Sequence, residues 1–226
     1  LARENMRTPK EIFEIQKTFI ERSKNVLAAV EEEKLIAMNS SKLLSSTLLA
    51  WLMAMKNGFE FSLEEMDLAK NTVEKNIEII LKQPSASVTE YLFACMLAKS
   101  EPLASALEHA KAQIKDINFL INASVVPYAW FGLLDISEMA ARLESIDDKK
   151  RDLSIKSSLS YLSLLSQDSE PTQEDISQLQ RLYKKRKSNG FYSQSRLYGG
   201  GIDNDIVCDI EYSAIAICKG YDTNVL

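Results

Sequence analysis

Apolar residues recur along this chain at helical spacing. Near the N-terminus Ile12, Phe19 and Val26 repeat every seven residues, as do Phe13, Ile20 and Leu27. That repeat draws one apolar stripe along several turns of a helix. Thr8-Pro9 followed by Glu11 supplies the start, because the threonine can accept from free amide groups and proline is preset for the first helical position. The spacing predicts a helix over 9–38. Its stripe needs a partner helix, either within the chain or across a homodimer.

A second helix over 41–56 is apolar on most sides, with Leu43, Leu44, Leu48, Leu49, Trp51, Leu52, Met53 and Met55, and such a helix belongs inside. Asn57-Gly58 stops it. Ser62 with Glu65 reads as a capping box that opens a third helix bearing Met66, Val73, Ile77 and Ile80 on one face. Pro84 ends that one. The pattern then recurs: an apolar helix over 88–98, then an amphipathic one with Leu103, Leu107, Ala110, Ile114 and Ile117. Sliding residues 49–56 by 43 positions onto 92–99 matches Leu, Met and Lys. Further on come an apolar helix over 127–139, a charged link over 147–151, an apolar segment over 159–165, and an amphipathic helix with Ile176, Leu179, Leu182 and Tyr183. Ser100-Glu101-Pro102 and Ser169-Glu170-Pro171-Thr172 open amphipathic helices in the same way. A glycine-rich loop over about 188–204 precedes a final apolar helix over 205–219.

This alternation of apolar and two-faced helices at a spacing near forty residues predicts one all-α helical-repeat domain over 1–226. Its roughly nine to eleven helices would form antiparallel pairs stacked as an α-solenoid or partial α/α toroid. With 7 glycines and 5 prolines in 226 residues, the chain has too few turn residues for a many-stranded sheet. The uncharged run 119–134 contains Asn122, Ser124 and Pro127 and is shorter than a membrane helix needs, so it reads as buried core with no transmembrane segment.

Charge adds little direction. The formal net charge of -5 gives no global field that favours nucleic acid or an anionic membrane. Cys95, Cys208 and Cys218 are an odd set without a CxxC spacing, which argues against a disulfide framework and a zinc knuckle and points to the cytoplasm. The opening Leu1-Ala2-Arg3 lacks the basic and apolar pattern of a signal segment.

Candidate chemistry is sparse. His109, the only histidine, falls on the exposed side of its helix, where it reads as a surface residue rather than part of a nucleophilic or zinc site. Glu31-Glu32-Glu33 reads as a solvated face, and Asp147-Asp148 is the other charged pair. Asp203 and Asp205 read as helix caps rather than cation ligands. Tyr198-Gly199-Gly200-Gly201 lacks the lysine-serine ending of a phosphate loop. No catalytic, metal or cofactor residues are assigned. Lys184, Lys185, Arg186 and Lys187, with Arg196 and the nearby Phe191 and Tyr192, form the one basic cluster with interleaved aromatics and are the candidate anion-binding set. Trp51, Tyr91, Tyr128, Trp130, Phe131 and Tyr212 lie on the most apolar helices. They are core by default and, if they line a concavity, the candidate groove for a partner or ligand.

Two resemblances stand beside this reading. The stretch from Gly190-Phe191 through Asp209-Ile210-Glu211-Tyr212 resembles one repeat of the α/α-toroid prenyltransferase and terpene-cyclase group. The zinc-ligand set and the Asp-x-Asp-Asp run of that group have no counterpart here, so its chemistry does not carry over. Residues 90–98 with Val125-Val126-Pro127-Tyr128-Ala129 look like an uncharacterised bacterial all-helical family of unknown function. The sequence thus predicts a non-enzymatic protein-interaction module that binds a protein or peptide in a groove between helices. The alternatives are an enzyme or carrier for a hydrophobic, isoprenoid-like ligand in a toroid cavity, and nucleic-acid binding through 184–187.

Overall fold

Twelve α-helices follow one another in the computed structural model, which describes residues 7–84, 86–188 and 209–225. They are α1 (Pro9–Ala29), α2 (Glu33–Asn57), α3 (Leu63–Lys75), α4 (Ile77–Leu81), α5 (Thr89–Ala98), α6 (Ala104–Gln113), α7 (Ile117–Ala123), α8 (Val126–Trp130), α9 (Ile136–Glu144), α10 (Asp152–Ser166), α11 (Gln173–Ser188) and α12 (Ile210–Lys219). A 3₁₀ turn, Thr223–Val225, follows. Among the described residues there is no strand, so the all-α class predicted from periodicity is observed. No described helix is long and apolar enough to cross a membrane.

Local chemistry sets the boundaries. The Thr8 hydroxyl accepts from the Glu11 amide at 3.2 Å, and the Glu11 carboxylate accepts from the Thr8 amide at 2.6 Å, so α1 opens on a complete capping box. The chain becomes extended at Val30 and Glu32. The expected 9–38 helix is therefore two: α1 ends at Ala29, and α2 runs back antiparallel to it. Ile12, Phe13 and Ile20 of the heptad stripe are buried where α1 packs on α2. Each contributes roughly 1.5–3 kcal/mol of burial. Phe19, Val26 and Leu27 of the same stripe are half-buried.

Ser62 caps α3 through the Glu64 amide at 3.1 Å, without the reciprocal bond expected from Glu65. The Glu65 carboxylate is instead paired with Lys24 of α1 at 2.7 Å, which ties the third helix to the first. Phe59 and Phe61 fold back from the connecting loop onto Phe13, with ring centroids at 5.1 and 5.9 Å. Three other expected helices are each split. Asn76 separates α3 from α4, Asp116 caps α7 after α6, and Asp135 caps α9 after the turn at Gly132. Short polar side chains that accept from the next helix's amides favour the restarts at Asp116 and Asp135, whereas the Asn76 side chain donates back to the Thr72 carbonyl and to the Ser40 hydroxyl.

α2 and α5 are inner helices. α2 packs against α1, α3, α4 and α5. α5, buried along nearly its whole length, packs also against α3, α8 and α12. α10 contacts α7, α8, α9, α11 and α12. The matched segments 49–56 and 92–99 fall on the two inner helices α2 and α5. α12 packs on α5 and α10 and reaches back to α2. In an open solenoid each repeat touches only its neighbours; here the last helix closes against the second.

Candidate functional site

Among the described residues, the buried charged side chains Arg186, Asp209 and Glu211 converge on the start of α12. Arg186, in the last turn of α11, is 1 % exposed, although the run 184–187 reads as a surface cluster. It lies four and seven residues beyond the buried Leu182 and Leu179 on the same inward face. Its guanidinium donates to the carboxylate of Asp209 and to the Tyr161 hydroxyl, and at 3.2 Å to Oε2 of Glu211. It also sits 5.5 Å from the centre of the Tyr161 ring. Tyr161, from α10, donates in turn to Asp209. Asp209 also caps α12, its Oδ1 accepting from the Tyr212 amide at 2.9 Å.

Glu211 completes the cluster. Its Oε1 accepts from the Ser124 hydroxyl at 2.7 Å, and Ser124 Oγ accepts from the Val126 amide at 3.1 Å, which fixes the α7–α8 junction. Burial, and secondarily the charge of Asp209, raises the Glu211 carboxyl to about 7 against the opposing pull of Arg186. The cluster draws together α7–α8, α10, α11 and α12 around charges that an apolar core admits only when they are paired and hydrogen-bonded.

This overturns the outward reading of Arg186. Its guanidinium is committed to two internal carboxylates. Lys184 and Lys185 are exposed and Lys187 is half-buried. Arg196, Phe191 and Tyr192 lie outside the described residues, as do Asp203, Asp205, Cys208 and the glycines 199–201.

The six candidate aromatics separate. Tyr91, Tyr128 and Tyr212 are fully buried core. The Tyr91 hydroxyl donates to Glu74 at 2.9 Å and accepts from the Leu103 amide at 3.1 Å. Tyr128 shares a 2.9 Å hydrogen bond with Thr89. Tyr212 donates to the Asp222 carbonyl at 2.8 Å. Trp51 and Phe131 are half-buried against the core, and Trp130, 37 % exposed, is the one that faces solvent. The six therefore do not form one groove wall.

His109 is half-buried on α6 rather than exposed, and no side chain hydrogen bonds to its enclosed Nε2. Glu31, Glu32 and Glu33 are exposed, as expected. Among the described residues no group of three or more His, Cys, Asp and Glu side chains is placed to hold a metal ion. Cys95 and Cys218 are free thiols, both pushed up by burial.

The outer face of α1 offers the contrasting surface. An open, shallow hollow of about 800 Å³ lies against it, bordered by Glu14, Lys17, Thr18, Glu21, Arg22 and Asn25 and, towards the C-terminal end of the helix, by Val26, Ala29 and Val30. A smaller hollow of about 150 Å³ lies between α10 and α11, beside Ser160, Asp175 and Gln178. Comparison with known proteins finds no matching family model, no matching curated protein and no matching solved structure.

Proposed function

We propose that the chain is a non-enzymatic interaction module. Its partner is a protein segment that carries both charged and apolar side chains and lies along the outer face of α1. The observation that carries this reading is the hollow itself. Lys17, Glu21 and Arg22 offer alternating charges beside the hydroxyl of Thr18, while Val26 and Ala29 supply an apolar end. A mixed surface of this kind favours register and orientation through charge and affinity through a few apolar contacts. The inner features support the same division: the strongest charge cluster is spent on holding helices together, and the inner tyrosines are packed with their hydroxyls bonded within the chain.

The test places a photo-crosslinking amino acid at Thr18 or Asn25, with a control at the exposed Asp147. The reading expects one adduct at 18 and 25 that is absent at 147. It also expects that adduct to be lost in the variant Lys17→Glu/Glu21→Lys/Arg22→Glu while the helical signal is unchanged. Equal adducts at all three positions, or an adduct indifferent to charge reversal, would contradict it. So would a reproducible thermal shift with prenyl diphosphates or lipids, which is the signature of an internal ligand site.

A further inference from the structure

Among the described residues, one guanidinium faces two carboxylates at the heart of the protein. Asp209 and Glu211 flank Ile210 at the start of α12, both buried, and Arg186 reaches both. With Asp209 ionised and Glu211 protonated, the charges of this trio balance. With both ionised, one negative charge is in excess in a place that water does not reach, and such a charge is expensive to hold. The hydrogen bonding tolerates either form, because Ser124 can donate to a carboxylate or accept from a carboxylic acid.

From this arrangement we infer that the Ser124–Glu211–Arg186–Asp209–Tyr161 cluster is a proton-operated latch on α12: protonated Glu211 fastens the helix into the core, and ionised Glu211 loosens it. Among the described residues, the groups around the latch come from several elements. α10 presents Tyr161, α11 presents Arg186, the helix's own start presents Asp209, and the α7–α8 junction presents the Ser124 hydroxyl. α5 contributes two buried ionisable side chains: Tyr91, whose hydroxyl is engaged by Glu74 and Leu103, and Cys95. The buried residues of α2 include no ionisable side chain. The closing turn meets Tyr212 through the Asp222 carbonyl.

The direction of the response follows from the geometry and agrees with the raised Glu211 carboxyl. Releasing α12 exposes Glu211 to water, where its carboxyl returns to the ordinary range, so rising pH favours the released state. The change falls between weakly acidic and weakly basic conditions, where few other side chains titrate. The inference is independent of any partner on α1.

Hydrogen–deuterium exchange of the full chain, corrected for the intrinsic pH dependence of exchange, reads the latch at the amides of α12. Between pH 5.5 and 8 the opening of this helix rises on the order of tenfold in the wild type. In Glu211→Gln, which is neutral at every pH, the rise disappears. Protection of α12 that is indifferent to pH in the wild type, or the same rise in Glu211→Gln, overturns the inference. Should that variant lose its helical signal, carbon-13 observation of the wild-type Glu211 carboxyl decides. A midpoint near 7 followed by the α12 amide resonances supports the latch. An ordinary acidic midpoint, or α12 resonances that do not follow it, removes it.

Discussion

Ser124 and Glu211 stand 87 residues apart in the chain, yet the serine hydroxyl donates to the glutamate Oε1 at 2.7 Å. This bond joins the break between α7 and α8 to the first turn of the last helix. It therefore couples the middle of the chain to its end through a group that titrates near neutrality.

The first prediction concerns pH. The Glu211 carboxyl is raised in the folded state from 4.5 to about 7, so the folded protein holds this proton more tightly than the unfolded chain. Its stabilising contribution is fully present below 4.5 and is lost as pH rises through 7. The loss amounts to about 3 kcal/mol across that window. Urea denaturation from pH 4.5 to 8 should show the decline, and Glu211→Gln should flatten it. A stability that rises with pH over this window would contradict the assignment.

A second prediction isolates the Tyr91 hydroxyl, which joins α5 to Glu74 of α3 and to the amide that precedes α6. Tyr91→Phe keeps the ring, leaves the Leu103 amide without its acceptor and leaves Glu74 with Lys70 alone. It should cost about 1–3 kcal/mol with little change in helix content. A loss below a few tenths of a kcal/mol would mean that water replaces the hydroxyl.

The third prediction uses the end of α5. Lys99, which caps that helix, has φ 52, in the left-handed region, whereas α2 is capped by Gly58 at φ 69. Both helices end on a residue in the left-handed region, and only α2 carries there the residue suited to that backbone. Lys99→Gly should raise stability by about 0.5–1 kcal/mol in thermal or urea unfolding. A destabilisation would show that the Lys99 side chain contributes more than the strain.

The sequence makes the helices legible because their signals are local. Thr8, Pro9 and Glu11 lie within one turn, and the apolar faces of α2 and α5 repeat within a few residues. It misplaces the joints at Asn76, Asp116 and Asp135, which fall within an otherwise continuous apolar pattern; at Asp116 and Asp135 a side-chain acceptor restarts the helix. The charged centre is not legible in this way, because its members come from four separate stretches of the chain. Two signals point towards it. Arg186 extends the inward series Leu179 and Leu182, and Asp209 and Glu211 interrupt a helix start that is otherwise apolar as far as Ile217. Charge composition alone groups Arg186 with the neighbouring lysines, whereas helical phase sets it apart.

That separation gives a fourth prediction. Lys184 and Lys185 are exposed, so replacing both with alanine should change stability by less than about 0.5 kcal/mol. A larger loss in chemical denaturation would place these lysines in the structural network.

The account turns on Arg186 as the internal counter-charge of Asp209 and Glu211, and one comparison tests it most directly. Arg186→Met leaves two carboxylates buried without their cation and should cost about 3–5 kcal/mol in urea unfolding at neutral pH. In Arg186→Met/Asp209→Asn/Glu211→Gln, where the cluster is neutral and Asn can still cap α12, more than half of that loss should return. An Arg186→Met protein as stable as the wild type, or a triple variant no better than the single one, would contradict the account.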